Sequence, residues 1–252
     1  MSLAPAQAAR YARHLTLPQI GEAGQARLSA GRVLVVGAGG LGSPAAFYLA
    51  AAGVGRIGVM DGDVVEPSNL QRQLLHRTAD LGRPKVASAA DALRALNPEI
   101  EVRPLAERLT ADNGAHVLAD YDVVIDATDN FAAKFLIADL CHAAGKPYVH
   151  GGIAGFYGQA LTVRPGRSAC YRCVFEAPPL PEAGPPSGPL GAVPGVIGSV
   201  QATEAIKLLL GAADRELLVN RLFVYEAWHM TARCVRVSRR PGCLTCGQDA
   251  AP

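Results

Sequence analysis

The stretch Val33-Leu34-Val35-Val36-Gly37-Ala38-Gly39-Gly40-Leu41-Gly42 decides the fold. Its first four residues are apolar and mostly β-branched, which is typical of a buried parallel strand. The glycine cluster and the alanine-rich run to Ala52 then predict a tight turn that opens a helix. The uncharged run from Val33 to Gly55 is long enough to span a membrane. Its six glycines and Pro44 argue against a lipid-facing helix, so we predict a strand, a turn and a helix instead.

The same alternation of strand and helix continues along the chain. It predicts helices and strands in the order Leu41–Ala52, Arg56–Asp61, Arg83–Leu96, Ile100–Leu105, Asp122–Asp126, Phe131–Ala144 and Tyr148–His150. Strands that alternate with helices imply a parallel sheet with helices on both faces. After Gly151, three strands lack a crossover helix between each neighbour, at Gln159–Arg164, Arg221–Glu226 and Arg233–Ser238, and they predict an antiparallel extension. A long helix from Gly195 to Leu210 interrupts them.

We therefore expect one α/β domain over residues 1–252, with a Rossmann-like mixed sheet of about eight strands flanked by helices. Residues 1–30 would form a helical arm broken near Pro18 and Gly21, residues 31–150 a nucleotide-binding half, and residues 151–252 a mixed-sheet half. The segment 176–194 contains seven prolines, a composition that predicts a flexible crossing loop or lid.

Charge and composition exclude several classes of protein. The 24 lysines and arginines nearly balance the 22 aspartates and glutamates, and no long run of one charge occurs. Bulk attraction to nucleic acid or to an anionic membrane is therefore not expected. The N-terminal residues MSLAPAQAARYARHL lack a continuous apolar core and a cleavage site. We expect a cytoplasmic protein without a secretory signal.

The glycine loop Gly37-x-Gly39-x-x-Gly42 leaves a strand and opens a helix, so its N–H groups can bind phosphate. The pattern alone is weak. Asp61, at the tip of the next strand, adds a carboxylate that can accept hydrogen bonds from ribose hydroxyls. Together they predict a nucleotide site in preference to a structural turn.

Polar residues at other strand ends favour a triphosphate over a dinucleotide. The segment from Asp61 to Gln73 includes Asp63 and Arg72, Lys85 opens the next helix, and Asp129 with Asn130 follows the Asp126 strand. Two cations and a carboxylate suited to Mg²⁺ match a polyphosphate that loses pyrophosphate. Solvated helix surface is the alternative role for Arg72 and Lys85.

Two CxxC pairs form the third group of candidate residues: Cys170 with Cys173, and Cys243 with Cys246. Four thiolates are the number that a closed tetrahedral Zn²⁺ site needs, so we predict structural zinc. A disulfide pair is the alternative, which a reducing cytosol disfavours. The remaining Cys141 and Cys234 are each expected to be small buried hydrophobic residues.

These motifs together resemble the MoeB/ThiF/HesA family, relatives of the ubiquitin-activating enzymes. The resemblance rests on VLVVGAGGLGSP, DGDVVEPSNLQRQ, ATDN, CYRC, GVIGSVQATEAIKLL and the terminal CLTC, and it covers nearly the whole chain. It implies a ThiF-type fold, a homodimer, and adenylation of the C-terminal Gly-Gly of a small ubiquitin-like sulfur carrier protein.

The resemblance also implies a set of site residues. The positions that it implies for ATP and Mg²⁺ are Gly40, Asp61, Ser68, Asn69, Gln71, Arg72, Lys85, Asp129 and Asn130. From the polar segment itself, Asp63, Leu70 and Gln73 are further candidates for nucleotide binding. Arg13 would reach the triphosphate of the other subunit. A C-terminal carboxylate is already ionised at neutral pH, so its attack on the α-phosphorus needs charge neutralisation and no general base. We predict that Arg13, Arg72, Lys85 and magnesium at Asp129 supply it.

The chain departs from the family at the crossing loop, where members commonly carry a cysteine and this one has Pro185 to Gly191 without any. We therefore predict that the reaction stops at the acyl-adenylate. A separate sulfurtransferase would then form the thiocarboxylate, because no rhodanese-like extension follows Cys246. The product would serve molybdopterin, thiamine or thiolated-tRNA synthesis. Two alternatives stay open: a non-catalytic zinc-stabilised module that binds carrier proteins, and an NAD-dependent oxidoreductase.

Overall fold

The computed structural model describes residues 4–177 and 188–247, and the strands in these ranges form one mixed sheet. The strands are β1 (Arg32–Val36), β2 (Arg56–Met60), β3 (Glu101–Leu105), β4 (Val123–Asp126), β5 (Tyr148–Ala154), β6 (Tyr157–Val163), β7 (Arg221–Glu226) and β8 (Thr231–Arg236). Their order across the sheet is β3-β2-β1-β4-β5-β6-β7-β8. The first five are parallel and the last three antiparallel. The predicted eight-stranded mixed sheet is confirmed.

Nine α-helices occur in the described ranges. They are α1 (Pro5–Arg10), α2 (Ala12–Leu15), α3 (Gly21–Ala30), α4 (Gly42–Ala51), α5 (Lys85–Leu96), α6 (Ala111–Ala119), α7 (Phe131–Ala143), α8 (Tyr171–Val174) and α9 (Ala192–Leu210). The sequence did not predict α6. Thr110 caps this helix by accepting a hydrogen bond from the Asn113 N–H.

The two faces of the sheet carry separate apolar cores. Alternating residues of β1 divide between them: Val33 and Val35 pack with α4, α5 and α9, while Leu34 and Val36 pack with α6, α7 and α8. Burial on both faces explains why the four residues Val33–Val36 are all apolar. The parallel strands therefore end together at one edge, where the loops that follow them meet.

Three sequence predictions need correction. The predicted crossing loop 176–194 is too long, because α9 already begins at Ala192 and Val193 and Pro194 are buried. Proline fits the first turn of a helix, where its missing N–H has no partner to lose. The rest of that prediction falls largely on residues 178–187, which lie outside the described residues. The last strand is Thr231–Arg236 and not Arg233–Ser238.

Cys234 is the third correction, because it was expected to be buried and is exposed. It lies on β8, the edge strand of the sheet, and every residue of that strand is exposed. Cys141, by contrast, is buried as predicted, and burial raises the pKa of its thiol.

Helix α9 is long and apolar enough to cross a membrane by length and composition alone. It packs instead against α4, β4, β5 and β6, and Ile197, Ala202 and Ala205 belong to the core beneath it. The run Val33–Gly55 forms a strand, a turn and a helix, as predicted.

Candidate functional site

The glycine loop lies at the carboxyl edge of the sheet, between β1 and α4. Gly37 has φ +102° and its amide donates to the Met60 carbonyl, while a Cβ placed there would lie 2.6 Å from the Ala127 carbonyl oxygen. Gly42 packs against the Gly37 carbonyl in the same way. A Cβ at Gly39 would meet only the Gln73 amide, at 3.6 Å. The surrounding protein therefore leaves no space for a side chain at Gly37 or Gly42, whereas there is space beside Gly39.

Asp61 is oriented by the loop itself. Its Oδ2 accepts a hydrogen bond of 2.8 Å from the Ala38 amide, and its Oδ1 accepts one of 2.9 Å from the Asp63 amide. The carboxylate therefore stands at the tip of β2 beside the glycine loop, where a ribose hydroxyl can donate to it.

His76 supports the same loop and was not predicted as a site residue. Its Nε2 lies 3.0 Å from the Ala38 carbonyl and its Nδ1 lies 2.9 Å from Ser88 Oγ on α5. Burial lowers the pKa of this imidazole. The side chain thus connects the glycine loop to the helix that begins with Lys85. Only its place within the polar segment after Asp61 could have suggested this role.

Residues 68–73 pack onto the glycine loop. The stem of Arg72 lies beside Gly40, and its guanidinium donates to the Ser68 carbonyl. Gln73 is 4 % exposed, and its Oε1 has no hydrogen-bond partner among the described residues. Asn69 is buried, and its Oδ1 accepts from the Glu66 amide. Buried amide oxygens are normally paired, so the Gln73 oxygen is an acceptor available to a ligand, on a side chain whose Nε2 approaches Gly39.

The neighbours of that segment are more exposed. Leu70 is half-buried, whereas Ser68 and Gln71 are exposed. The Gln71 amide lies 3.5 Å from the Pro189 carbonyl, and Gly191 packs against the Gln71 backbone. The chain that leads into α9 therefore borders the candidate site.

Lys85 is 6 % exposed and lies 3.3 Å from Asp63 Oδ2. Arg108, which the sequence did not single out, lies 2.9 Å from the other Asp63 oxygen. Partial burial alone would raise the pKa of Asp63, but the hydrogen bond from Arg108 and the charge of Lys85 outweigh it and lower that pKa. Two cations therefore share one carboxylate at the site edge.

The turn after β4 carries Asp129 and Asn130. Asn130 is the N-cap of α7 and accepts a hydrogen bond of 2.9 Å from the Ala133 amide. Asp129 is exposed, and its carboxylate has no side-chain partner among the described residues. The turn faces the glycine loop through the contact of Ala127 with Gly37. Asp129 is thus free to bind a cation beside the loop.

The buried group behind this turn was missed. Asp126 is 1 % exposed and contacts Lys134 and His150. Burial alone would raise its pKa, but the Lys134 charge and the hydrogen bond from His150 lower the pKa of Asp126 to about 2. The sequence placed Asp126 only as the end of a strand, since contacts among β4, α7 and β5 are not visible as local spacing.

Among the residues predicted to bind the nucleotide, Arg13 lies far from the glycine loop. Tyr11, two residues before it, packs on Gly53 and accepts a hydrogen bond from Asn97 at the C-terminal end of α4 and α5. The ten residues of α4 separate this end from the loop by about 15 Å. Arg13 is exposed and its side chain has no partner within the described ranges.

The four predicted metal ligands come together. The Sγ atoms of Cys170, Cys173, Cys243 and Cys246 all lie within 4.8 Å of one another. Adjacent pairs are 3.4 to 3.8 Å apart, and all four cysteines are free of disulfides. A Zn²⁺ ion about 2.3 Å from each of four tetrahedral sulfurs separates them by about 3.8 Å, so the cluster fits this ion.

Burial raises the pKa of the Cys170 and Cys246 thiols, whereas backbone N–H groups favour the thiolate at Cys243. Burial opposes ionisation of Cys243, but the N–H groups of Cys246 and Thr245 lower the pKa of its thiol to about 7. The Arg240 amide lies 3.4 Å from Cys173 Sγ. Within the described residues, this cluster is the single group of three or more cysteine, histidine and carboxylate side chains close enough to hold a metal.

Comparisons with known proteins agree on the family to which this chain is similar. The sequence profile of the ThiF family matches residues 11–245. The SAMP-activating enzyme E1 of Haloferax volcanii is 48% identical over 251 residues, which are 98% of this chain and 92% of that protein. The sulfur carrier protein adenylyltransferase of Thermus thermophilus is 45% identical over 248 residues, covering 95% and 91%.

A longer relative and one solved structure complete the comparison. The adenylyltransferase and sulfurtransferase MOCS3 of Arabidopsis thaliana is 44% identical over 255 residues, covering 99% of this chain and 54% of that protein. The chain thus spans about half the length of relatives of this kind. The crystal structure of E. coli MccB with ATP superposes with a TM-score of 0.80 at 24% identity, covering 94% of this chain and 74% of that one. This likeness shows the fold alone.

Proposed function

The chain belongs to the ThiF family, and from this premise we propose that it is an adenylyltransferase that uses ATP to activate the C-terminal Gly-Gly carboxylate of a small ubiquitin-like sulfur carrier protein. The observation that carries the proposal is the unpaired, buried Oε1 of Gln73, which belongs to the side chain that approaches Gly39 and follows Arg72 in sequence. It marks a place where the glycine loop and the segment after β2 are built to meet a ligand.

ATP would lie along the glycine loop, with its ribose at Asp61 and its phosphates beside Gly39 and Gly40, while Gly37 and Gly42 would allow the close packing that shapes the loop. The predicted residues Ser68, Asn69, Leu70, Gln71, Gln73 and Asn130 would line the nucleotide or hold the chain segments that do. Asp129 would hold Mg²⁺, a hard cation that prefers oxygen ligands and would supply positive charge to the phosphates.

Charge neutralisation is the main task of the protein in this reaction. The carrier carboxylate attacks the α-phosphorus and pyrophosphate leaves, so negative charge is concentrated on the attacking and leaving oxygens. Arg72 and Lys85 would offset that charge, and Asp63 and Arg108 would hold Lys85 in place. A donor of this kind is typically worth roughly 10²–10³ in rate.

We further propose a homodimer in which Arg13 acts on the nucleotide of the other subunit. The support is the position of Arg13 at the far end of α4, which its own side chain cannot bridge to the glycine loop. A guanidinium that serves a triphosphate from there must serve one in another chain.

Zinc at the four cysteines would be structural. Four thiolates fill a tetrahedral ion and leave no position for a substrate. The ion would join the segment after β6 to the segment after β8. Residues 1–30, 31–150 and 151–252 would remain parts of one adenylation domain.

The proposed product is an acyl-adenylate, which a separate sulfurtransferase converts to a thiocarboxylate in the cytoplasm. The destination would be molybdopterin, thiamine or thiolated-tRNA synthesis. We propose no role for nucleic acid or membranes.

Carrier-dependent exchange of pyrophosphate into ATP tests the proposal. Purified protein is mixed with each small Gly-Gly protein of the same genome, and exchange with one of them is expected. Arg72→Ala should lower that exchange about 10²–10³-fold. Arg103→Ala is the matched control, because Arg103 on β3 forms only surface ion pairs, with Glu101 of the same strand and with Asp120 at the end of α6. Carrier binding without any exchange would favour the non-catalytic binding module. If Arg72→Ala keeps wild-type binding and wild-type exchange, the proposed role of Arg72 is refuted.

A further inference from the structure

The turn that carries Asp129 is attached to the sheet through one buried carboxylate. Asp126 is the last residue of β4, and its Oδ1 accepts hydrogen bonds of 2.7 Å from the Thr128 hydroxyl and 3.1 Å from the Thr128 amide. Its Oδ2 accepts one of 2.8 Å from His150 Nδ1 on β5. The carboxylate thus fixes the first residues of the turn relative to two strands.

Lys134 connects this carboxylate to the helix that follows the turn. It lies in the first turn of α7, and its Nζ is 3.3 Å from both Asp126 oxygens and 2.6 Å from the Gly151 carbonyl. The lysine side chain is 7 % exposed and that of Asp126 is 1 % exposed. One ammonium therefore joins β4, α7 and β5 in a place where solvent screens it little.

Lys134 contacts Asp126 and the Gly151 carbonyl at the place where strands β4 and β5 separate. Their pairing ends at Asp126 and His150. On the opposite face of the sheet, Gln201 of α9 donates to the Asp126 carbonyl at 2.7 Å and to the Val149 carbonyl at 3.0 Å. Lys134 and Gln201 thus bridge the opening between the strands from both sides, directly beneath the turn.

The cluster carries no excess charge. Burial lowers the pKa of His150, against the hydrogen bond to Asp126, so the imidazole is neutral and donates through Nδ1. One carboxylate and one ammonium balance. The bonds to Thr128 and Gly151 satisfy the remaining lone pairs and N–H groups of the buried pair, and they also extend it into the turn and the next strand.

We propose that Lys134 is a positioning residue for the adenylation reaction, which sets the place of Asp129 relative to the glycine loop by holding Asp126 and the Gly151 carbonyl. The inference rests on the proposed function, because it takes Asp129 as the group that faces the metal and the triphosphate. A displacement of about 1 Å in such a group can lower a rate about 10²-fold.

The test compares Lys134→Met, Lys134→Arg and the control Lys146→Met. Lys146 also donates to a backbone carbonyl, that of Tyr121, but at the opposite end of the strands. Carrier-dependent exchange should fall about 10- to 100-fold in Lys134→Met, stay within about threefold of wild type in Lys134→Arg, and be unchanged in the control. ATP affinity without Mg²⁺ should be unaltered, whereas the gain in affinity that Mg²⁺ brings should fall.

A double-mutant cycle with Asp129→Asn separates positioning from general stability. If Lys134 acts through Asp129, Lys134→Met causes no further loss in the Asp129→Asn background. An equal, independent loss in both backgrounds overturns the inference, as does wild-type exchange in Lys134→Met. Because the single variant leaves Asp126 buried without its cation, the neutral pair Asp126→Asn/Lys134→Met is measured beside it and should show the same loss. Absence of exchange in the wild type would contradict the proposed function, and the Mg²⁺ dependence of ATP affinity would then still decide the inference.

Discussion

Gly37→Ala and Gly39→Ala each add one methyl group to the same loop, and the structure predicts different defects. At Gly37 the new Cβ would lie 2.6 Å from the Ala127 carbonyl oxygen, and Cβ atoms in proteins essentially never approach another atom within 3.0 Å. The φ angle of Gly37 is +102°, a conformation that L side chains rarely adopt. The clash and the backbone strain together cost about 3 kcal/mol. At 2–4 °C per kcal/mol for a chain of this size, Tm should fall by about 6–12 °C.

At Gly39 the new Cβ would meet the Gln73 amide at 3.6 Å, which is an ordinary van der Waals distance. The free energy of unfolding should therefore change by less than about 0.5 kcal/mol. The methyl group would occupy the open side of the loop, so the Kd for ATP should rise at least about tenfold, a loss of about 1.4 kcal/mol in binding.

Thermal unfolding followed by circular dichroism and ATP titration by calorimetry measure the two effects separately. Each variant serves as the control for the other. Unchanged ATP affinity in a fully folded Gly39→Ala protein would refute the placement of the nucleotide on this loop. A Gly37→Ala protein as stable as the wild type would refute the close packing of the loop on the turn after β4.

Three further predictions concern other parts of the molecule. Cys173→Ser should lower both the amount of zinc bound per chain, measured by atomic emission, and the Tm. A wild-type protein that contains no zinc and has the same Tm after zinc is added would contradict the metal site. The lowered pKa of Asp126, about 2 against an ordinary 3.8, implies about 2 kcal/mol of stability that is present above pH 3.8 and lost as the pH falls through 2. The destabilisation by Asp126→Asn, measured in urea from pH 6 to 2, should therefore shrink by that amount, and a constant difference would count against the buried cluster. Asn97→Ala should destabilise the protein by about 2–3 kcal/mol, because fully buried Asn97 donates to Tyr11 Oη and to the Ala50 carbonyl; a loss below about 0.5 kcal/mol would show that neither bond matters.

Much of the fold follows from local sequence because its strongest signals are short range. The apolar run before Gly37 and the glycine cluster itself predict β1, the loop and α4 within a residue or two of the structure. Helix α6 was missed because Gly114 and Asn113 weaken its propensity. Gly114 is nevertheless required, since a Cβ there would clash with Leu140 of α7. Contacts between helices thus override a local preference that points the other way.

In the candidate site, too, residues with a local sequence signal could be predicted and residues brought together by packing could not. Residues at strand ends, such as Asp61 and Asp129, could be placed from sequence because parallel strands end at one edge. Lys134 and His150 could not, since their meeting at Asp126 depends on how α7 and β5 pack around β4. The exposure of Cys234 could not be predicted from the sequence either, because an apolar alternation predicts a strand but not its place at the edge of the sheet.

The cysteine cluster has a topological consequence. Cys170 meets Cys243 across 73 positions of sequence, and Cys173 meets Cys246 across the same interval. With zinc bound, the chain from Cys173 to Cys243, which includes α9 and the β7–β8 hairpin, becomes a closed ring. A single backbone cut within that ring would leave the two pieces linked through the metal, and a chelator would remove that link while the sheet contacts remain.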